Sequence, residues 1–121
     1  MTRAVLDEAR IHPAIRAKVT GLQAEIVAEV NAAALAVPVL VVGMAINPWP
    51  RKARRLLEAA GVRYQYLGYG SYLSQWRRRN ALKMWTGWPT FPMVFVNGAL
   101  IGGATDLEKL IASGELKQLL G

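Results

Sequence analysis

Asn47-Pro48-Trp49-Pro50 stands where an apolar run gives way to the basic stretch Arg51-Lys52-Ala53-Arg54-Arg55. Asn is a favoured helix cap and Pro a favoured first helical residue, so this tetrapeptide reads as the start of a helix. Its two prolines remove two backbone N–H groups that would otherwise face an anion, leaving those of Trp49 and Arg51. Further along, Arg79 and Lys83 are four residues apart and share one face of a helix. Thr105-Asp106-Leu107-Glu108 has the form of a capping box. The chain has no cysteine and a single histidine, His12, so it offers no thiolate nucleophile, no disulfide and no cysteine-ligated metal or iron–sulfur centre of its own. A formal charge of +7 over 121 residues predicts attraction to anions: small acids, an acidic protein face or nucleic acid. No aromatic-basic motif of a nucleic-acid reader is present, so nucleic acid is not the expected partner.

These residues need elements to hold them. Val19, Leu22, Ile26, Val30 and Ala33 recur at helical spacing over about 14–36, with Gln23, Glu25 and Glu29 on the other side, which predicts one amphipathic helix. Residues 37–43 are a buried, β-branched strand, and a helix over 48–60 turns Ala53, Leu56, Leu57 and Ala60 inward before Gly61 ends it. A second strand is expected at 62–67 and a third helix at 71–86. Two short apolar runs then flank Asn97-Gly98, a strong hairpin signal, and the last residues read as one or two helices. Trp76, Trp85, Tyr64 and Tyr66 are placed toward the core, and Trp49 toward solvent. The order α-β-α-β-α-β-β-α, with a right-handed crossover between the first two strands, is a thioredoxin-like α/β arrangement. The expectation is a four-stranded mixed sheet flanked by helices: one domain over 1–121, with a helical extension at 1–36 and a core at 37–121. The N-terminal stretch carries Asp7 and Glu8 and lacks the apolar run of a secretory signal. No segment has the length of a bilayer span, so a soluble cytoplasmic protein is expected, without membrane contact.

Three quoted segments together carry a family resemblance. Val39-to-Leu57 with its NPWP, Trp85-to-Gly98 with Trp88-Pro89-Thr90-Phe91-Pro92, and Leu100-to-Leu120 with Ile101-Gly102-Gly103 occur in that order. Over about 20–120 the chain resembles a glutaredoxin, most of all the monothiol class, without the insertion that class carries before its cysteine. NPWP matches the Cys-Pro-Tyr-Cys redox motif, so Asn47 stands in the nucleophile's place and Pro50 in that of the resolving cysteine. Met44 stands where the family usually carries a lysine.

The resemblance implies a cradle for glutathione. Pro92 is expected to be a cis-proline, with the backbone of Thr90, Phe91 and Pro92 pairing with the tripeptide in strand-like fashion. Ala104, Thr105 and Asp106 match the segment that holds the γ-glutamyl end. Helix amides there attract a carboxylate, and Asp106 can receive the ammonium. Arg79 and Lys83 match basic residues that meet the glycine carboxylate, and Trp49 lies at the mouth of the groove. Asn47 is the candidate catalytic position, beside a thiol brought in by the ligand. No metal ligand is expected.

Three functions follow as expectations. The first is a cysteine-free protein that binds glutathione, a glutathione conjugate or another small anionic thiol, without thiol–disulfide chemistry of its own. The second is a transferase, lyase or isomerase that uses the bound thiol, with any proton transfer falling to the substrate, to Tyr69 or Tyr72, or to water. The third is an interaction module whose basic face docks an acidic protein.

Overall fold

The structure, a computed structural model, describes residues 2–121. Helices α1 (Pro13–Gly21) and α2 (Ala24–Ala36) lead into strand β1 (Val39–Gly43), helix α3 (Pro48–Ala59) and strand β2 (Gln65–Gly68). Helix α4 (Trp76–Thr86), strands β3 (Met93–Val96) and β4 (Ala99–Gly102), and helices α5 (Ala104–Ala112) and α6 (Glu115–Leu120) complete the order. The strands form one mixed sheet in the order β2-β1-β3-β4. β1 runs parallel to β2 and antiparallel to β3, and β3 pairs antiparallel with β4. This is the thioredoxin-like layout expected from the sequence.

Alternation along β1 and β3 builds a core on each face of the sheet. Leu40, Val42, Met93 and Phe95 point into one cluster with Ile26 and Val30 of α2 and Leu82 of α4. Val39, Val41, Val94 and Val96 point into the other, against Ala53 and Leu57 of α3, Leu107 of α5 and Leu116 of α6. Each fully buried leucine contributes about 1.5–3 kcal/mol. Asn97 and Gly98, at φ 51° and 82°, make the tight turn between β3 and β4. No helix among the described residues is long and apolar enough to cross a membrane.

Three element boundaries depart from the sequence expectation. The single helix over 14–36 is two, because Leu22 is extended after Gly21 and Gln23 takes a left-handed conformation at φ 52°. Helix α1 buries no residue, and Val19 and Leu22 face solvent: their spacing is helical, but no layer covers them. The second strand starts at Gln65 rather than 62, since Val62 still donates to Leu57 O as the helix turns off through Gly61 at φ 70°. Helix α4 starts at Trp76 rather than 71, because residues 71–74 close a serine-held turn: Ser74 N donates to Ser71 O and Ser71 N to Ser74 Oγ. Trp76 then falls on the solvent side, with Arg77 over its ring, instead of in the core.

Tyr69 is buried, and its hydroxyl donates to Glu29 Oε1 at 2.7 Å, tying the end of β2 to α2. Burial first, then the carboxylate, pushes its phenol well above the usual tyrosine range. The folded state therefore favours the neutral phenol. This contribution is fully present below the unfolded pKa of about 10 and is lost as pH rises from there through the folded value. Denaturant midpoints are expected to fall above pH 10 more steeply for the natural chain than for Tyr69→Phe. Equal slopes would refute the assignment.

Candidate functional site

The site forms where α3, the loop before β3 and the start of α5 meet. Asn47 caps α3: its backbone is extended, and its Oδ1 accepts from Trp49 N at 3.0 Å. Its Nδ2 reaches across to Phe91 O at 3.4 Å. The Phe91–Pro92 peptide is cis, as the resemblance implied. One asparagine thus ties the helix start to the cis-proline loop. Pro48 and Pro50 have no N–H, and the carbonyl of an N-cap residue takes the first intrahelical bond. With Trp49 N already capped, none of residues 48–50 presents a free amide to the groove.

The start of α5 is the opposite case. Its N-cap is Gly103, whose amide donates to Asp106 Oδ2 at 2.9 Å, and the first intrahelical bond is Leu107 N to Gly103 O. The amides of Ala104, Thr105 and Asp106 therefore have no helical acceptor. The capping box expected at Thr105 and Glu108 does not form. The helix begins earlier because Gly102, at φ 115°, and the extended Gly103 let Asp106 take the cap, and Glu108 pairs instead with Lys52 at 3.6 Å.

Between these features lies a pocket of about 230 Å³ lined by Trp49, Trp88, Thr90, Phe91, Pro92, Gly103, Ala104, Thr105 and Asp106. Seven of these nine are the residues the sequence singled out. Trp88 and Gly103 were not, although both lie within the quoted motifs. Trp88 Nε1 is buried without a hydrogen-bond partner, an unspent donor in the pocket wall. Lys52 also escaped notice: besides its pair with Glu108, its Nζ lies 5.4 Å from the Trp49 ring centroid. No sequence spacing marks the pair with Glu108, because it joins α3 to α5.

Other expected site residues lie outside the pocket lining. Lys83 places its Nζ 5.8 Å from the Phe91 ring centroid, beside the cis-proline loop. Arg79 is buried, and its Nη1 donates to Tyr69 O at 2.8 Å and to Ser74 O at 2.5 Å. Its Nη1 is engaged by the loop before α4, and Arg79 is not among the residues that line the pocket. Met44 is buried in the same cluster as Tyr69 and Phe91. Arg54 stacks over Tyr66 and donates to Tyr64 Oη, a bond that raises its pKa further. Tyr69 is engaged by Glu29, and Tyr72 points to solvent; neither lines the pocket. No three His, Cys, Asp or Glu side chains gather as a metal site among the described residues.

Ile46, immediately before the cap, sits at φ 70° and is largely exposed. A β-branched residue there is strained. Relief of that strain exceeds the entropic cost of glycine, so Ile46→Gly is expected to raise stability by about 1 kcal/mol, read from the denaturant midpoint. A lower midpoint would show that the side chain packs.

A cis-proline loop facing a capped helix start on a β2-β1-β3-β4 sheet defines the thioredoxin-like class, and the comparisons narrow it. Residues 48–101 match the family model for Glutaredoxin. A "Glutaredoxin-like protein" of Dictyostelium discoideum is 51% identical over 78 residues, 64% of this chain and 63% of that protein. "Probable monothiol glutaredoxin GrlA" of Legionella pneumophila is 35% identical, over 57% of this chain and 74% of its own length. Oxidized glutaredoxin 2 from Chlamydomonas reinhardtii superposes with a TM-score of 0.70 at 27% identity, over 81% of this chain and 92% of that one. The buckwheat glutaredoxin–glutathione complex shares the fold, with a TM-score of 0.69 at 22% identity over 82% of this chain and 90% of that one. The chain belongs to the glutaredoxin family. It spans less than two thirds of the first curated relatives it matches, 63% of the Dictyostelium protein and 28% of monothiol glutaredoxin-4 of Schizosaccharomyces pombe.

Proposed function

We propose that this chain binds glutathione or a glutathione conjugate in the groove between α3, the cis-proline loop and α5, with no thiol–disulfide chemistry of its own. The observation that carries this reading is the start of α5: three unpaired amides beside a carboxylate with one oxygen to spare. An α-amino acid end presents the complementary pair, a carboxylate for the amides of Ala104, Thr105 and Asp106 and an ammonium for Asp106 Oδ1. The backbone of Thr90, Phe91 and Pro92, which lines the pocket, then runs beside the tripeptide's peptide groups. Lys83 is the cation for the glycine carboxylate. Arg79, spent on Tyr69 and Ser74, is assigned to holding the loop instead. The glutathione-bound buckwheat structure supports the reading as a family precedent. Iron–sulfur ligation does not fit, because a chain with no cysteine supplies no thiolate.

Isothermal titration with reduced glutathione, at low and high salt, tests the reading. Binding at micromolar to low-millimolar strength, weakened by salt, is the expected result. No heat at several millimolar would refute it.

A second reading rests on a separate observation. A groove of about 350 Å³ between the α1–α2 turn and α4 is lined by Leu22, Trp76, Ala81 and Met84 and rimmed by Arg77. Apolar walls beside a cation, on a chain of net charge +7, fit a short acidic amphipathic helix. Titration of a synthetic Glu/Leu helical peptide should shift the amide resonances of residues 76–84, and unchanged spectra would dismiss this docking face.

A further inference from the structure

The two helix starts that flank the groove are electrically unlike, and this bears on what the ligand carries on its sulfur. At α3 none of residues 48–50 offers a free amide: Pro48 and Pro50 have no N–H, and Trp49 N is bound by Asn47 Oδ1. The Asn47 amide nitrogen is also engaged, on Phe91 O. The position that precedes this loop on the strand side is Met44, buried and uncharged. Lys52 is drawn toward Glu108 and the ring of Trp49. A sulfur arriving beside Asn47 therefore meets no free amide from residues 48–50, and a thiolate gains little stabilisation from them. It meets instead a half-exposed indole that lines the pocket and is held in place by Lys52.

An apolar aromatic wall beside a helix start poor in free donors suits a neutral thioether carrying an apolar substituent. We infer that the preferred ligand of this groove is an S-substituted glutathione, whose substituent lies on the face of Trp49. The inference rests on the glutathione reading above and names the ligand class for that site. The tripeptide end is held at α5 and the cis-proline loop, and the choice between free thiol and conjugate is made at Trp49. Aromatic stacking of this kind is worth on the order of tenfold in affinity.

The test compares reduced glutathione with S-benzylglutathione by isothermal titration on the full chain and on Trp49→Ala and Trp49→Leu. S-benzylglutathione should bind about tenfold more tightly than reduced glutathione. Both variants should lose that margin, read as the ratio of the two affinities on each chain. Because residues 48–50 offer a thiolate no free amide, affinity for reduced glutathione should also fail to rise between pH 7.5 and 9.5, where a free thiol of pKa about 8.5 ionises. Equal binding of the two ligands, a margin that survives in both variants, or a clear gain at pH 9.5 would overturn this inference and leave the cradle intact. Failure of both ligands to bind would overturn the glutathione reading itself, and this inference with it.

Discussion

Arg79→Ala is expected to cost about 3 kcal/mol of stability, because two hydrogen bonds to a buried guanidinium are lost together. Arg79 is only 6% exposed, and its Nη1 holds the carbonyls of Tyr69 and Ser74, which lie on either side of the turn that leads into α4. Truncation leaves those carbonyls short of a partner and opens a hole beneath the turn. Arg79→Lys should lose roughly half as much, since an ammonium reaches one carbonyl well but does not fork to two. Denaturant midpoints of the three chains check the ordering. The same variants separate two roles for this residue. If Arg79 holds the loop, the folded fraction of Arg79→Lys binds reduced glutathione as the natural chain does. If it meets the glycine carboxylate, as its place in the sequence suggested, affinity falls tenfold or more while the midpoint barely moves.

Arg79 also shows which kind of information a sequence carries. Its helical spacing with Lys83 is a true feature of α4, and so is their shared side of the chain. Where a long side chain goes, however, depends on which carbonyls a distant turn presents, and that turn exists only because Ser71 and Ser74 close it. The same reasoning separates the other successes from the failures. The cap at Asn47, the hairpin at Asn97-Gly98 and the buried run of β1 are local matters of a few residues, and each appears in the structure as the sequence implied. Pro92 was legible as cis only through the family motif, since Phe-Pro alone carries no such signal. The break at Gln23 and the exposure of Val19 and Leu22 were not legible, because a helical stripe states which residues align and not whether a layer exists to cover them. At α5 the sequence offered a capping box at Thr105 and Glu108, and what displaced it was Gly102. Its φ of 115° suits glycine, and a Cβ there would stand 2.4 Å from Asp106 Oδ2.

That crowding makes Asp106 the residue on which the second large effect rests. Its Oδ2 receives the amide of Gly103 and so fixes where α5 begins, while its other oxygen faces the pocket with the unpaired amides of the first turn. One carboxylate thus serves the fold and the ligand through different oxygens. Asp106→Asn preserves an acceptor for Gly103 N and should cost under about 1 kcal/mol of stability. It removes the charge that would face an ammonium. A charge-assisted hydrogen bond is worth about 1.5–3 kcal/mol, so affinity for reduced glutathione should fall tenfold or more. Asp106→Ala should lose the same affinity and, in addition, about 1 kcal/mol of stability, as the Gly103 amide goes uncapped. Titration and denaturation of both variants check the pattern. If the asparagine variant binds like the natural chain, Asp106 is a helix cap alone, and the γ-glutamyl ammonium must be sought elsewhere in the groove. If it folds normally and no longer binds, charge at this one oxygen governs recognition, and the start of α5 is the anchor to which the rest of the ligand is aligned.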